Sequence, residues 1–148
     1  MESELNTYAL ITGGSSGIGK ALAIELASRG YDIAIVALPN TGQEQVRQEI
    51  KSAYNVKFKS LELNILEKGA ISQISAWVIS EQMNLQILVN NAGIGYAAGF
   101  DTLEGSFIST VIDLNIKATT LLSHAMIPFL KKTKAVLHLK FIKCCGIL

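Results

Sequence analysis

No acidic residue follows Asp113 in this chain of 148 residues, no tyrosine follows Tyr96, and no serine or threonine follows Thr133. The only cysteines are the neighbours Cys144 and Cys145. Adjacent cysteines make no disulfide framework and lack metal-site spacing, so no metal is expected and a reducing cytoplasm is the expected setting. The opening residues MESELN carry two acids and no apolar core, so a secretory signal is not expected there. The stretch Asn84–Phe100 is uncharged, but asparagines and glycines interrupt it, so it is not expected to span a bilayer. A net charge of +1 suggests neither nucleic acid nor an anionic membrane as a partner. Six lysines follow Asp113 (Lys117, Lys131, Lys132, Lys134, Lys140 and Lys143), and they read as a solvated end rather than a binding tail.

What is present is a chain that is 49% hydrophobic, enough to exclude disorder and to fill one domain over 1–148. Short apolar runs alternate with helical stripes. Tyr8–Thr12 reads as a strand, and Gly17 to Arg29 as a helix with Ile18, Leu22 and Leu26 on its inner face. Gly30 stands where a helix ends. Ile33–Ala37 is an unbroken apolar run, as suits a strand buried on both faces. Thr41-Gly-Gln-Glu44 resembles a capping box, opening a helix with Val46, Ile50 and Tyr54 inward. Val56–Leu63 is a third strand, and the helix after it turns Ile71, Ile74 and Val78 inward. Ile87–Val89 is a fourth strand. Asp101 and Glu104 mark another helix start, a long helical stretch runs from Phe107 to Lys132, and Ala135–Ile142 is a fifth strand. Alternating strands and helices predict an α/β fold, a parallel sheet with helices on both faces.

"TGGSSGIG", Thr12–Gly19, joins the first strand to the first helix. In that position the first-turn N–H groups and the positive end of the helix dipole face an anion. Gly13 can turn tightly, Gly17 admits a pyrophosphate close to the backbone, and Gly19 lets the helix pack closely on the sheet. Ser15 and Ser16 can donate hydrogen bonds. With Ile18 these residues form the expected phosphate cradle. Glycine turns also serve geometry alone, so the context carries the reading.

"TGGSSGIG", "NNAG" at Asn90–Gly93 and "DLNIKA" around Asn115 occur in an order and spacing that resemble the short-chain dehydrogenase/reductase family, over Tyr8 to Leu130. The resemblance implies a Rossmann-type, doubly wound sheet that binds NAD(H) or NADP(H). It also implies hydride transfer between that cofactor and a small alcohol or carbonyl substrate, and a homo-oligomer in the full-length form. It places Asn91, Ala92 and Gly93 along the cofactor, and Leu38, Asn64 and Ile65 near its adenosine end. Asn64 has an equal reading as a helix N-cap. The acid that would bind a ribose 2′-OH is replaced by Ala37, and the basic positions that would attract a 2′-phosphate hold Leu38 and Ser16. Loss of repulsion without gain of attraction favours NADP over NAD.

The family handles the proton with a tyrosine, a lysine that lowers its pKa, and a serine on the substrate oxygen; an asparagine holds a relay water. Asn115 matches the asparagine. The serine and the Tyr-x-x-x-Lys pair are absent, and "AVLHLKFIKCCGIL" is atypical from 134 on, with His138 and Lys140 on one face of the expected fifth strand. A sheet cut short after that strand leaves an open edge, and a poorly soluble or self-associating chain is expected. Two explanations fit: a fragment whose family-like sequence stops near Thr133, or a genuine non-catalytic dinucleotide-binding or regulatory module. A Rossmann-like methyltransferase is disfavoured by the loop pattern and by "NNAG".

Overall fold

Thr7–Thr12 forms the first strand, β1, and five of its six residues are buried. A computed structural model describes residues 7–96, 99–133 and 137–140, the last four as backbone. The chain continues through α1 (Gly17–Ser28), β2 (Asp32–Ala37), α2 (Gln43–Ala53), β3 (Phe58–Glu62), α3 (Ala70–Ser80) and β4 (Asn84–Asn90). A 3-10 turn (Phe100–Thr102) leads into α4 (Gly105–Ile112), a π-helical turn (Asp113–Ala118), α5 (Thr119–Lys132) and β5 (Leu137–Lys140).

The strand order is β3-β2-β1-β4-β5, and every pairing is parallel. Alternation along the strands splits the core in two. Tyr8, Leu10, Val36 and Leu88 face α3 and α5 through Ile74, Val78, Leu122 and Met126. Ala9, Ile11, Ile35 and Val89 face α1 and α2 through Ala23, Ala27, Val46 and Ile50. The Val, Leu, Ile and Met side chains among them each contribute about 1.5–3 kcal/mol by leaving water, the alanines less. The expected doubly wound parallel sheet is therefore what forms.

Several local expectations differ. In α1 the fully covered positions are Gly19, Ala23 and Ala27. Leu22 and Leu26 are only partly buried and Ile18 is exposed. Small residues let the helix lie close to the sheet, which outweighs the size of the leucines. No capping box opens α2: Gly42 is the cap residue, and Thr41 Oγ1 donates to Leu38 O (2.7 Å). Asn64 does not cap α3, whose cap is Gly69; its Oδ1 accepts from Leu66 N at 3.1 Å in a local turn. The long helix is interrupted by the π-helical turn, where Thr119 Oγ1 and Thr120 Oγ1 bond back to the carbonyls of Leu114 and Ile116. Gly30 ends α1 with φ of 86° as expected, while β4 is longer than the apolar pattern suggested. Residues MESELN, Ala97, Ala98, the pair Cys144 and Cys145, and the side chains of His138 and Lys140 lie outside the described part.

Candidate functional site

The strand order reverses between β1 and β4, and chain segments leaving the C-terminal ends of these two strands part there, on opposite faces of the sheet. A crevice at such a switch point is the usual ligand site of an open parallel sheet. Here it is a cavity of about 510 Å³, within the size range of small-molecule and cofactor sites.

Thr12, the last residue of β1, is buried, and its Oγ1 accepts from the backbone N–H groups of Asn91 (3.1 Å) and Ala92 (3.0 Å). The Asn91 side chain returns the contact: its Nδ2 donates to the carbonyls of Thr12 (3.0 Å) and Gly13 (2.9 Å). Four hydrogen bonds thus fasten the "NNAG" turn to the glycine loop. Gly13 N donates to Val36 O at 2.7 Å, which ties the same loop to β2.

Two glycines have structural reasons of different kinds. Gly17 has φ of 54°, in the left-handed region, and a Cβ there would meet nothing within 4 Å, so the backbone borders open space at the cavity. A Cβ on Gly19 would be driven into the Gly13 carbonyl and the Asn91 amide. Gly19 therefore admits the loop itself, a closer constraint than the helix-on-sheet packing expected of it.

Ser16 stands at the cap position of α1 but makes no side-chain cap bond, and the first turn of the helix carries no acid. Ser15 is buried, and its hydroxyl is 2.9 Å from Thr41 Oγ1. Buried Gln43 braces this corner: its Nε2 donates to Leu38 O (2.7 Å) and its Oε1 accepts from Thr41 N (3.2 Å). Among the described residues no charged side chain lines the cavity, and Lys20 of α1 is paired with Glu49 at 2.6 Å.

Of the residues singled out from sequence, Gly13, Ser15, Ser16, Gly17, Ile18, Leu38, Asn64, Ile65, Asn91, Ala92 and Gly93 line this one cavity. Gly19 lies beneath it. Asn115 stands behind the turn: its Nδ2 donates to Ile94 O (2.8 Å) and its Oδ1 accepts from Ile94 N (3.0 Å). Its side chain thus clamps the loop after β4. Sequence reasoning missed Thr12, Thr41 and Gln43 as supports, and Val36, Leu63, Leu66, Ile94, Thr110 and Leu114 as lining. Thr12 belongs to the quoted motif, but nothing in a lone threonine tells that both lone pairs will be taken by a turn 79 residues away. Among the described residues no helix is long and apolar enough to cross a membrane.

The donor set suits a polyanion approached by backbone: glycines that leave room, hydroxyls, helix-start amides and no carboxylate in the lining. Comparison with known proteins agrees with that fit. A family model for short chain dehydrogenases matches residues 7–136. A very-long-chain 3-oxoacyl-CoA reductase of Kluyveromyces lactis is 26% identical over 143 residues, which is 95% of this chain and 40% of the relative. A metagenomic short-chain oxidoreductase solved in complex with NADP superposes with a TM-score of 0.85 at 28% identity, covering 97% of this chain and 65% of that one. The alcohol dehydrogenase of Thermococcus sibiricus, complexed with 5-hydroxy-NADP, gives 0.82 at 27% identity, covering 88% and 56%. The chain spans less than two thirds of the length of each of these three proteins.

Proposed function

The chain belongs to the short chain dehydrogenases, and on that premise we propose that its switch-point cavity binds a nicotinamide dinucleotide, NADP ahead of NAD, as the cofactor-holding part of an oxidoreductase acting on an alcohol or carbonyl. The observation that carries this reading is the four-bond fastening of Asn91–Ala92 to Thr12–Gly13, which sets two loops from distant sequence along one crevice. In this reading the amides and hydroxyls from Gly13 to Gly19 take the diphosphate, Asn91, Ala92 and Gly93 follow the cofactor beyond it, and Leu38, Asn64 and Ile65 receive the adenosine end. The bound cofactor supplies or accepts the hydride. Thr12 and Asn91 orient the wall of the cleft, and Asn115 holds the backbone of Ile94 in place at its far end.

The preference for NADP rests on what stands at the end of β2. Ala37 puts no carboxylate there to repel a 2′-phosphate, and Ser16, whose hydroxyl makes no cap bond, lines the same cavity. The NADP ligands of the two structural neighbours support the same reading.

A second reading is favoured by one sequence fact. The 148 residues contain no Tyr-x-x-x-Lys, so this chain by itself is expected to bind the cofactor without turning over a carbonyl by the family route. Calorimetric titration of the folded chain with NADPH and with NADH tests the binding claim. NADPH is expected to bind more tightly than NADH. Absence of heat with both would overturn the proposal. Reduction of any member of a carbonyl panel by the same material would overturn the second reading.

A further inference from the structure

At the adenosine end of the cavity the hydrogen-bonding groups left for a ligand are of one sense. Leu38, Leu63, Ile65 and Leu66 line that end with aliphatic surface. Asn64 carries the only polar side chain in the turn from Leu63 to Leu66, and it lines the same cavity. Its two amide atoms stand differently. Oδ1 accepts from Leu66 N at 3.1 Å. A backbone N–H can only donate, so this bond fixes which way round the amide lies and leaves Nδ2 for a ligand. Among the described residues Nδ2 has no partner of its own.

The acceptors beside it are already engaged. The Leu38 carbonyl receives both Thr41 Oγ1 (2.7 Å) and Gln43 Nε2 (2.7 Å). The Ala37 carbonyl receives Leu63 N at 2.9 Å, and the Asn64 carbonyl receives Glu67 N at 3.0 Å. Thr41 Oγ1, its proton given to Leu38, lies 2.9 Å from the Ser15 hydroxyl. A base seated against the Leu63–Leu66 turn therefore meets a side-chain donor at Asn64 and, among the described residues, no carboxylate in the lining.

We infer that Asn64 reads the edge of the base with a donor alone, so that the site takes a 6-oxopurine dinucleotide as readily as a 6-aminopurine one. The inference rests on the proposed dinucleotide site and concerns which cofactors that site admits. Adenine presents an amino group at its 6-position and an acceptor at N1. Hypoxanthine presents an oxo acceptor at its 6-position and an N–H at N1. The Asn64 amide finds an acceptor on either one, N1 of adenine or the oxo oxygen of hypoxanthine. Each base keeps one N–H over, and half-exposed Leu66 leaves that edge open to water in both. A carboxylate at this position would break the tie, because it accepts from the amino group and repels the oxo oxygen.

The test titrates the whole chain by calorimetry with NADPH and with its hypoxanthine counterpart, reduced nicotinamide hypoxanthine dinucleotide phosphate. NMR follows the side-chain amide protons of Asn64 in the same titrations. The two affinities should agree within about fivefold, and both cofactors should shift the Asn64 protons. Asn64→Asp keeps an acceptor for Leu66 N, so the turn is preserved, and it should move the ratio toward adenine by at least about tenfold. The ratio is the readout because an added negative charge opposes both cofactors alike, as would a loss of folded protein. A wild-type ratio beyond about fivefold, Asn64 protons unmoved at saturation, or a smaller change of ratio in Asn64→Asp would overturn the inference. No binding of either cofactor to wild type would instead sink the dinucleotide reading beneath it.

Discussion

At Thr12 one hydroxyl accepts two backbone N–H groups of a turn 79 and 80 residues away. Thr12→Ala would leave both amides without that partner at a buried site, at a cost of about 1–3 kcal/mol. We expect a lower Tm and weaker NADPH binding, with Thr12→Ser restoring both. Gly19→Ala should lower both Tm and NADPH affinity, because its Cβ displaces the Gly13 carbonyl and the Asn91 amide that fasten the loops at the cavity floor. Specificity is expected to turn on two neighbouring positions. Leu38 is half exposed at the cavity, so Leu38→Arg can reach a 2′-phosphate and should strengthen NADPH over NADH. Ala37→Asp should do the reverse, as read by parallel titrations of both cofactors.

Tyr8 lies at the opposite end of β1, away from this chemistry. Burial, then the carboxylates of Asp32 and Glu81, push its phenol from 10.0 up to about 12. A proton held more tightly in the folded state stabilises it fully below the ordinary value. That contribution is lost as pH rises from 10.0 toward about 12. Denaturant midpoints should therefore fall over that window, and Tyr8→Phe should flatten the fall. An unchanged profile in Tyr8→Phe would contradict this origin.

Elements show why some of the molecule was legible from sequence and some was not. The strands announced themselves because β1 and β2 are buried on both faces, which demands unbroken apolar runs. Helix α1 was legible in extent but not in orientation. A sequence pattern weights large apolar residues, whereas close approach to the sheet selected Gly19, Ala23 and Ala27 and left Ile18 to the cavity. The π-helical turn was hidden because apolar spacing continues through it. That turn sets Asn115 against Ile94. Asn115→Ala should free the loop after β4, so amide exchange at Ile94 is expected to speed up while the amides of β1 keep their protection. Equal acceleration in both places would mean global destabilisation instead. The two loops that meet at the cavity were legible, since glycine spacing and "NNAG" are local, but their mutual fastening is a long-range fact that no window of sequence contains.

For the whole molecule, the sheet of the described residues ends in β3 on one side and β5 on the other. Ile112, Ile116, Leu121 and Ile127 stand exposed along the long helical segment. Open edges and exposed aliphatic surface favour association. The 148-residue chain is expected to run larger than a monomer in light scattering, and Ile116→Lys with Leu121→Lys should reduce that size. A strictly monomeric wild type would contradict this. The central claim, that the crevice between β1 and β4 is a dinucleotide site, is tested most directly by amide NMR of the labelled chain titrated with NADPH. The account predicts saturable shifts concentrated at Gly13–Gly19 and Asn91–Gly93. Shifts confined to another surface, or none at saturating NADPH, would contradict it.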